Sequence, residues 1–510
     1  MANEPLKEPG GIGEPRRGLL KGVAEPEALQ LIPEAMARKY TAIPLAITDN
    51  GLRVAMADPE DLFTLEALAA QSQMRIEPEM ASAEEIQEAI DFNYKAYEEI
   101  EKQISNISFP DEAVGERIGL DTGSEAPVAQ ALKLIIDAAV NSRASDIHLE
   151  PEESKLRVRY RIDGTLHDTL SLPMVAASLI ISRIKILASM NIAAHHPQDG
   201  QFSFKSKGRL VDIRVATGPT VYGEMATLRL LYKSRATLNL SELGFLPESL
   251  AKYEKMLKVP FGMILVSGPT GAGKTTTLYA SINQLDSVGH NIITIEDPVE
   301  YRFKNINQIQ VNPRAGVTFA SGLRSILRLD PDVIMVGEIR DAETAKIAVQ
   351  SALTGHLMLS SIHANDAAGV VFRLLDLGVE PYLVCSALIG VVAQRMVRKI
   401  CPYCAHPVDA PLVEHMAYSN EMGEEREGFL YGSGCKTCAH TGYLGRTGIF
   451  EILYMSDGIR SKLLSGTTAS QLRTQAIKEG MIPLMKDGMF KVKACVTTPS
   501  EVLRNTYSIE

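Results

Sequence analysis

The chain has 510 residues, with 45% hydrophobic and 22% charged, which is the balance of a globular protein and gives room for about three to four domains. Its formal net charge of −10 argues against nucleic acid as the main ligand, since a duplex binder usually presents a basic face. The N-terminus lacks the basic and apolar regions of a signal peptide. The longest apolar stretch, Tyr382 to Val397, is interrupted by Gln394 and Arg395 and is too short to cross a bilayer. These features predict a cytoplasmic protein with no direct membrane span, attached to a membrane only through partners.

In chain order, residues 1–25 are rich in Gly, Pro and charge and read as a flexible tail. Residues 26–100 carry a small α/β pattern. A helix is expected over Leu31–Arg38, a strand over Leu52–Met56, and further helices over Asp61–Ala70 and Ala83–Ala96. Residues 101–125 lose that periodicity and read as a linker. Residues 126–240 form an α+β domain that opens on a helix from Pro127 to Val140. Its strands Leu156–Arg161 and Val211–Val215 alternate apolar and basic residues, predicting one buried and one strongly positive face. Residues 241–400 alternate strands with helices, as an α/β nucleotide-binding core with a parallel sheet does. Two CxxC pairs follow in residues 401–440, and residues 441–510 read as a helical region.

The most specific segment runs Gly268-Pro269-Thr270-Gly271-Ala272-Gly273-Lys274-Thr275-Thr276. A strand-like Met263–Ser267 precedes it and a helix-like Thr276–Ala280 follows. In such a loop the glycines let backbone N–H groups converge on a β-phosphate. Lys274 supplies a cation to the β- and γ-phosphates, and the Thr275 hydroxyl can ligate Mg²⁺. The chain therefore binds ATP or GTP.

Three later segments place polar groups at strand ends, where a nucleotide lies on such a sheet. Asn291–Ile295 runs into Glu296-Asp297-Pro298-Val299-Glu300, where Glu296 is the candidate to orient and deprotonate the attacking water, with Glu300 the runner-up. Val333–Val336 is followed by Gly337-Glu338, so Glu338 supplies the acid of a Walker B motif. Leu357–Ile362 is flanked by His356 and His363, of which His363 is placed to sense the γ-phosphate. An acid after a strand is as often a helix N-cap, and a lone histidine is more often structural. The weight rests on all of them occurring in order behind one phosphate loop.

The series GPTGAGKTTTLY, TIEDPVEY, ILRLDPDVIMVGEIRDAETA and ALTGHLMLSSIHANDA closely resembles the GspE/PilB family of type II secretion and type IV pilus assembly ATPases. Members commonly have Thr at the positions of Ser361 and Ala364. The resemblance implies a RecA-like ATPase domain preceded by a PAS-like domain, matched by Ser145–Pro151, Arg159–Gly164, Pro197–Gly200 and Gly223–Glu224. It implies that arginines of that domain reach the nucleotide. Arg214 and Arg229 are the candidates, with Arg159 and Arg161 behind them, although a solvated basic face would look the same. It also implies a hexamer and an N-terminal domain that docks on the cytoplasmic part of a membrane-anchored partner, beside an inner-membrane platform protein. A repeated motif that binds cyclic di-GMP in some relatives is reduced here to Gly18-Leu19-Leu20, so that ligand is not expected.

Cys401-Pro402-Tyr403-Cys404 and Cys435-Lys436-Thr437-Cys438 each set two thiolates on one turn, and two such turns complete a Cys₄ site for Zn²⁺. The expected cofactors are thus ATP, Mg²⁺ and Zn²⁺. The expected function is ATP hydrolysis that drives assembly of a pseudopilus for type II secretion. The alternatives are a type IV pilus extension ATPase and, from another class, a regulator that binds nucleotide without hydrolysing it.

Overall fold

The computed structural model describes residues 24, 26–48, 51–83, 85–87, 89–90, 125–206, 208–232, 239–285 and 287–506. The expected tail, most of the expected linker and the end of the Ala83–Ala96 helix lie outside the described residues. Residues 1–232 with 432–443 form one compact unit, and residues 233–431 with 444–510 form a second.

The first unit begins with helices Pro26–Leu31 and Glu34–Tyr40 rather than one helix over Leu31–Arg38. Pro33 separates them, because it lacks an N–H and its ring excludes the preceding turn from helical geometry. Strands β1 (Ala42–Thr48) and β2 (Gly51–Met56) pair antiparallel, and β3 (Ile76–Met80) pairs parallel to β2. The parallel step requires a crossover, supplied by the helix Leu62–Ser72. Asp61 caps that helix, accepting from the Phe63 and Thr64 N–H groups. A bond from the Thr64 hydroxyl, and then these backbone bonds, hold its carboxyl below its ordinary pKa. Ile43, Leu45, Leu52, Val54 and Leu68 form the core between sheet and helices.

Six antiparallel strands follow: β4 (Asp146–Pro151), β5 (Lys155–Ile162), β6 (Thr165–Pro173), β7 (Gln198–Ser206), β8 (Arg209–Thr220) and β9 (Gly223–Leu231). Their spatial order is β6-β5-β4-β9-β8-β7. Strict alternation along β5 buries Leu156, Val158, Tyr160 and Ile162 on one face. The helices Glu125–Asn141 and Val175–Leu187 cover that face with Ile135, Ile136, Ile180 and Ile184. The other face carries the arginines, but it is not the bare positive surface that the alternation predicts. Arg157 pairs with Asp168 and Glu152, Arg159 with Glu150, and both Arg161 and Arg229 with Asp146. The carboxylates come from other segments and stand opposite only once the sheet has formed.

The second unit is built on seven strands: β10 (Gly262–Ser267), β11 (Ile292–Glu296), β12 (Asn307–Gln310), β13 (Val333–Val336), β14 (Leu357–Ile362) and β15 (Leu388–Ile400), with β18 (Tyr443–Tyr454) at the edge. The short pair β16 (Ala405–Val408) and β17 (Phe429–Gly432) lies between β15 and β18 in the chain. The order is β12-β11-β13-β14-β10-β15-β18, and β10 runs parallel to both neighbours. Alternate residues of β10 enter two cores. Met263 and Leu265 face the helices Phe319–Ile326, Ala342–Leu353 and Ala367–Asp376, while Ile264 and Val266 face Pro247–Leu257 and Lys274–Gln284. Burial on both faces explains why β10, β11, β13 and β14 read as apolar runs. The stretch after residue 441 is not wholly helical as expected, because Gly448–Leu453 is a buried strand segment. Four helices follow among the described residues, from Asp457–Leu464 to Pro499–Thr506.

Candidate nucleotide site and cysteine cluster

Four loops leave the sheet at one edge, the C-terminal ends of β10, β11, β13 and β14. The register fixes this: Val336 lies opposite both Ile295 and Ser360, and Ser267 lies opposite Ile362. Two hydroxyls tie the loops together. Ser361 donates to the Gly337 carbonyl at 2.8 Å, and Ser267 to the Ala364 carbonyl at 2.9 Å. Where Thr is common, Ser361 keeps the donor, and Ala364 contributes only its backbone.

Residues Gly268–Gly273 turn from β10 into the helix Lys274–Gln284. A Cβ on Gly268 would come within 2.5 Å of the Gln394 carbonyl oxygen. Gly273 starts the helix at φ 87°, a conformation open to glycine. The Lys274 ammonium donates to the Gly268 and Pro269 carbonyls at 2.7 and 3.1 Å, which holds it over the loop. Burial lowers its pKa, Glu338 opposes that, and Arg395 adds to it. Pro269, Thr270, Gly271 and Thr275 are exposed, Thr276 is half-buried, and Ala272 is buried.

The Glu338 carboxylate accepts from Arg340 at 2.5 Å, and its other oxygen lies 3.7 Å from His363 Nε2. The Arg340 hydrogen bond keeps the Glu338 pKa low against the opposing effect of burial. Burial and then the Lys274 charge lower the His363 pKa, with Glu338 opposing, which favours the neutral imidazole. Lys274, Glu338 and His363 therefore form one electrostatic group.

His356 does not join it. The residue stands before the first residue of β14 and His363 after the last, about 20 Å apart at the usual strand rise. His356 Nδ1 bonds instead to the Ser351 carbonyl at 2.9 Å, at the sheet edge away from the phosphate loop.

The structure also turns Glu296 from the water-facing role expected of it. The side chain is 2% exposed, with Thr294 donating to one oxygen at 2.6 Å and Gln308 to the same oxygen at 3.1 Å. The Tyr279 hydroxyl donates to the other oxygen. After the exposed, cis Asp297–Pro298 step the chain returns to half-buried Glu300, whose N–H donates to the Tyr279 hydroxyl at 3.3 Å.

Two site residues had read only as interruptions of an apolar run. Buried Gln394 accepts from Thr277 Oγ1 at 2.8 Å and donates to the Ala272 carbonyl at 2.7 Å, bracing the phosphate loop from β15. Arg395 donates to the Asn365 carbonyl at 2.5 Å, joining β15 to the segment after His363. A polar pair inside a strand buried on both sides was the available signal. Arg214 and Arg229 lie opposite each other on β8 and β9, and Arg229 Nε donates to Asp146 at 3.0 Å.

The sequence profile of the type II/IV secretion system protein family matches residues 121–504. The chain belongs to that family. Residues 13–99 match the MshEN domain. The type IV pilus assembly ATPase PilB of Myxococcus xanthus is 40% identical over 507 residues, 97% of this chain and 89% of that protein. The type II secretion system protein E of Dickeya dadantii is 39% identical over 95% of this chain and 98% of its own length. Among solved structures, the ATPase DotB of Legionella pneumophila shares the fold at a TM-score of 0.54 and 21% identity, over 78% of this chain and 98% of its own.

In this member of the secretion family Cys401, Cys404, Cys435 and Cys438 come together, all four sulfurs within 4.8 Å of one another. The group fits a tetrahedral metal, whose Zn–S bonds of about 2.3 Å hold sulfurs about 3.8 Å apart. The Cys435 N–H donates to the Cys438 sulfur at 3.1 Å. Cys401 and Cys438 are buried.

Proposed function

We propose that this chain is a cytoplasmic ATPase that hydrolyses ATP to drive assembly of a pseudopilus for type II protein secretion. The observation that carries hydrolysis is the convergence of Lys274, Glu338 and His363 beside the phosphate loop at one sheet edge. Lys274 neutralises the β- and γ-phosphates. Thr275 would hold Mg²⁺, with Glu338 acting on its water shell, and the bound ion would offset phosphate charge. His363, neutral, senses the γ-phosphate by hydrogen bonding. Glu300 orients and deprotonates the attacking water, and Glu296 serves as a buried brace behind it. Phosphate release by purified protein with Mg²⁺ tests the reading. A protein that binds ATP and releases no phosphate is the nucleotide-binding regulator instead.

Relatives of near-equal identity carry both secretion and pilus names, so pilus extension is the second reading. Deleting the gene separates them, because loss of an exported protein marks secretion and loss of surface pili marks extension. Among the described residues no helix is long and apolar enough to cross a membrane. Attachment at the inner membrane then passes through the N-terminal domain to a membrane-anchored partner and a platform protein.

The working form is a homo-oligomer, a hexamer by family resemblance. Arg214 and Arg229 reach the open side of the nucleotide and report whether the γ-phosphate is present. Arg214→Ala and Arg229→Ala should each lower ATPase activity, and light scattering with a non-hydrolysable ATP analogue should show a ring-sized particle. A monomer with parental activity in both variants would refute this.

Zn²⁺ is held by the four cysteines and fixes the segment between β15 and β18. Metal analysis of protein purified without chelator should find one zinc per chain. Cys401→Ser should release it and loosen that segment, while the phosphate loop still binds an ATP analogue. A folded, zinc-free parent protein would refute the assignment.

A further inference from the structure

The Lys274–Gln284 helix carries, one turn beyond the phosphate loop, a tyrosine whose hydroxyl has two jobs. Tyr279 donates to buried Glu296 and accepts from the Glu300 N–H at 3.3 Å. Its ring is held edge-on by Phe303 at 4.8 Å and Tyr301 at 6.2 Å between centroids. Gln308 secures the same loop from the other side. Its amide donates to Glu296 and to the Tyr301 carbonyl at 2.9 Å, and its oxygen accepts from the Phe303 N–H at 2.9 Å. Burying a carboxylate is costly unless donors satisfy it, as three do here, and a satisfied network of this kind is rigid. What it fixes is the backbone at Glu300, connected through one hydroxyl to the helix that begins at Lys274.

We propose that Tyr279 is a positioning residue for hydrolysis, its hydroxyl setting Glu300 relative to the phosphate loop through Glu296. The proposal rests on Glu300 as the group that activates water. Burial first, and then the bond to Glu296, raise the Tyr279 pKa, so the phenol stays protonated and keeps donating. The P-loop helix and the Glu300 loop therefore shift together when nucleotide moves either one.

The test is Tyr279→Phe in the full chain, read by steady-state ATPase kinetics and by binding of a fluorescent, non-hydrolysable ATP analogue. Phenylalanine keeps the ring contacts and loses only the hydroxyl. Turnover should fall about five- to tenfold, the share of one net hydrogen bond, with analogue affinity unchanged. In a Glu300→Gln background the same substitution should cost nothing further, because it acts through Glu300. Parental turnover in Tyr279→Phe overturns the proposal, as does a matching loss of analogue affinity or a full additional loss in the double variant. Parental turnover in Glu300→Gln alone sinks the assignment of the base itself. An inactive Glu300→Gln beside a fully active Tyr279→Phe sinks only the positioning role.

Discussion

Glu300→Gln is expected to lower ATP turnover by about two to four orders of magnitude, the usual share of a positioned general base. Affinity for ATP should stay within a few-fold, because the amide keeps the shape of the side chain and leaves Lys274 in place. Glu296→Gln makes the informative comparison. The Glu296 carboxylate accepts three side-chain donors and is 2% exposed, so it has no open oxygen to offer water. Its loss acts by loosening the Glu300 loop and should cost about as much as Tyr279→Phe, far less than Glu300→Gln. Single-turnover phosphate release on both variants decides the matter. A Glu296→Gln enzyme as inactive as Lys274→Ala, beside an active Glu300→Gln enzyme, would restore Glu296 as the base.

Lys274→Ala should reduce turnover by about a hundred- to a thousandfold and weaken ATP binding as well. The lysine differs from Glu300 in acting on the phosphates in both the ground state and the transition state, so both parameters should move. The apo loop should survive the change. Gln394 braces it through the Ala272 carbonyl and Thr277, and neither bond involves the Lys274 side chain. Thermal unfolding close to that of the parent, together with lost analogue binding, is the expected pair of results.

The phosphate loop was legible because its chemistry is local: glycines, lysine and threonine at fixed spacing between a strand and a helix. The burial that separates Glu296 from Glu300 was not. Their difference is set by Tyr279 and Gln308, 17 and 12 positions from Glu296, which meet it only in the folded sheet. His356 and His363 both border one strand, and strand direction alone would have put just His363 at the nucleotide edge. Four strands of the seven-stranded sheet, β10, β11, β13 and β14, were readable from their apolar runs, whereas polar β12, long β15 and edge β18 were not. In β18, Gly445 and Gly448 break the pattern, and the buried run Gly448–Leu453 completes the strand. Pro33 was a visible helix breaker whose effect on Leu31–Arg38 went unused.

The ion-paired face of the six-stranded sheet bears on how salt should affect the protein. Arg157, Arg159, Arg161 and Arg229 stand against Asp146, Glu150, Glu152 and Asp168, so these four cations and four anions cancel. A neutral array casts a field that fades faster with distance than that of a lone cation, and it cannot draw an anion from several Debye lengths away. At the more exposed Arg157–Asp168 pair, worth roughly 0–1 kcal/mol, a guanidinium can trade its carboxylate for a phosphate at small net cost, whereas buried Asp146 holds its two arginines more firmly. Such exchange works in both directions. The stability of this domain should therefore vary little between low and physiological ionic strength, while an acid-to-amide change at Asp146 would leave Arg161 and Arg229 unneutralised and make that stability salt-sensitive.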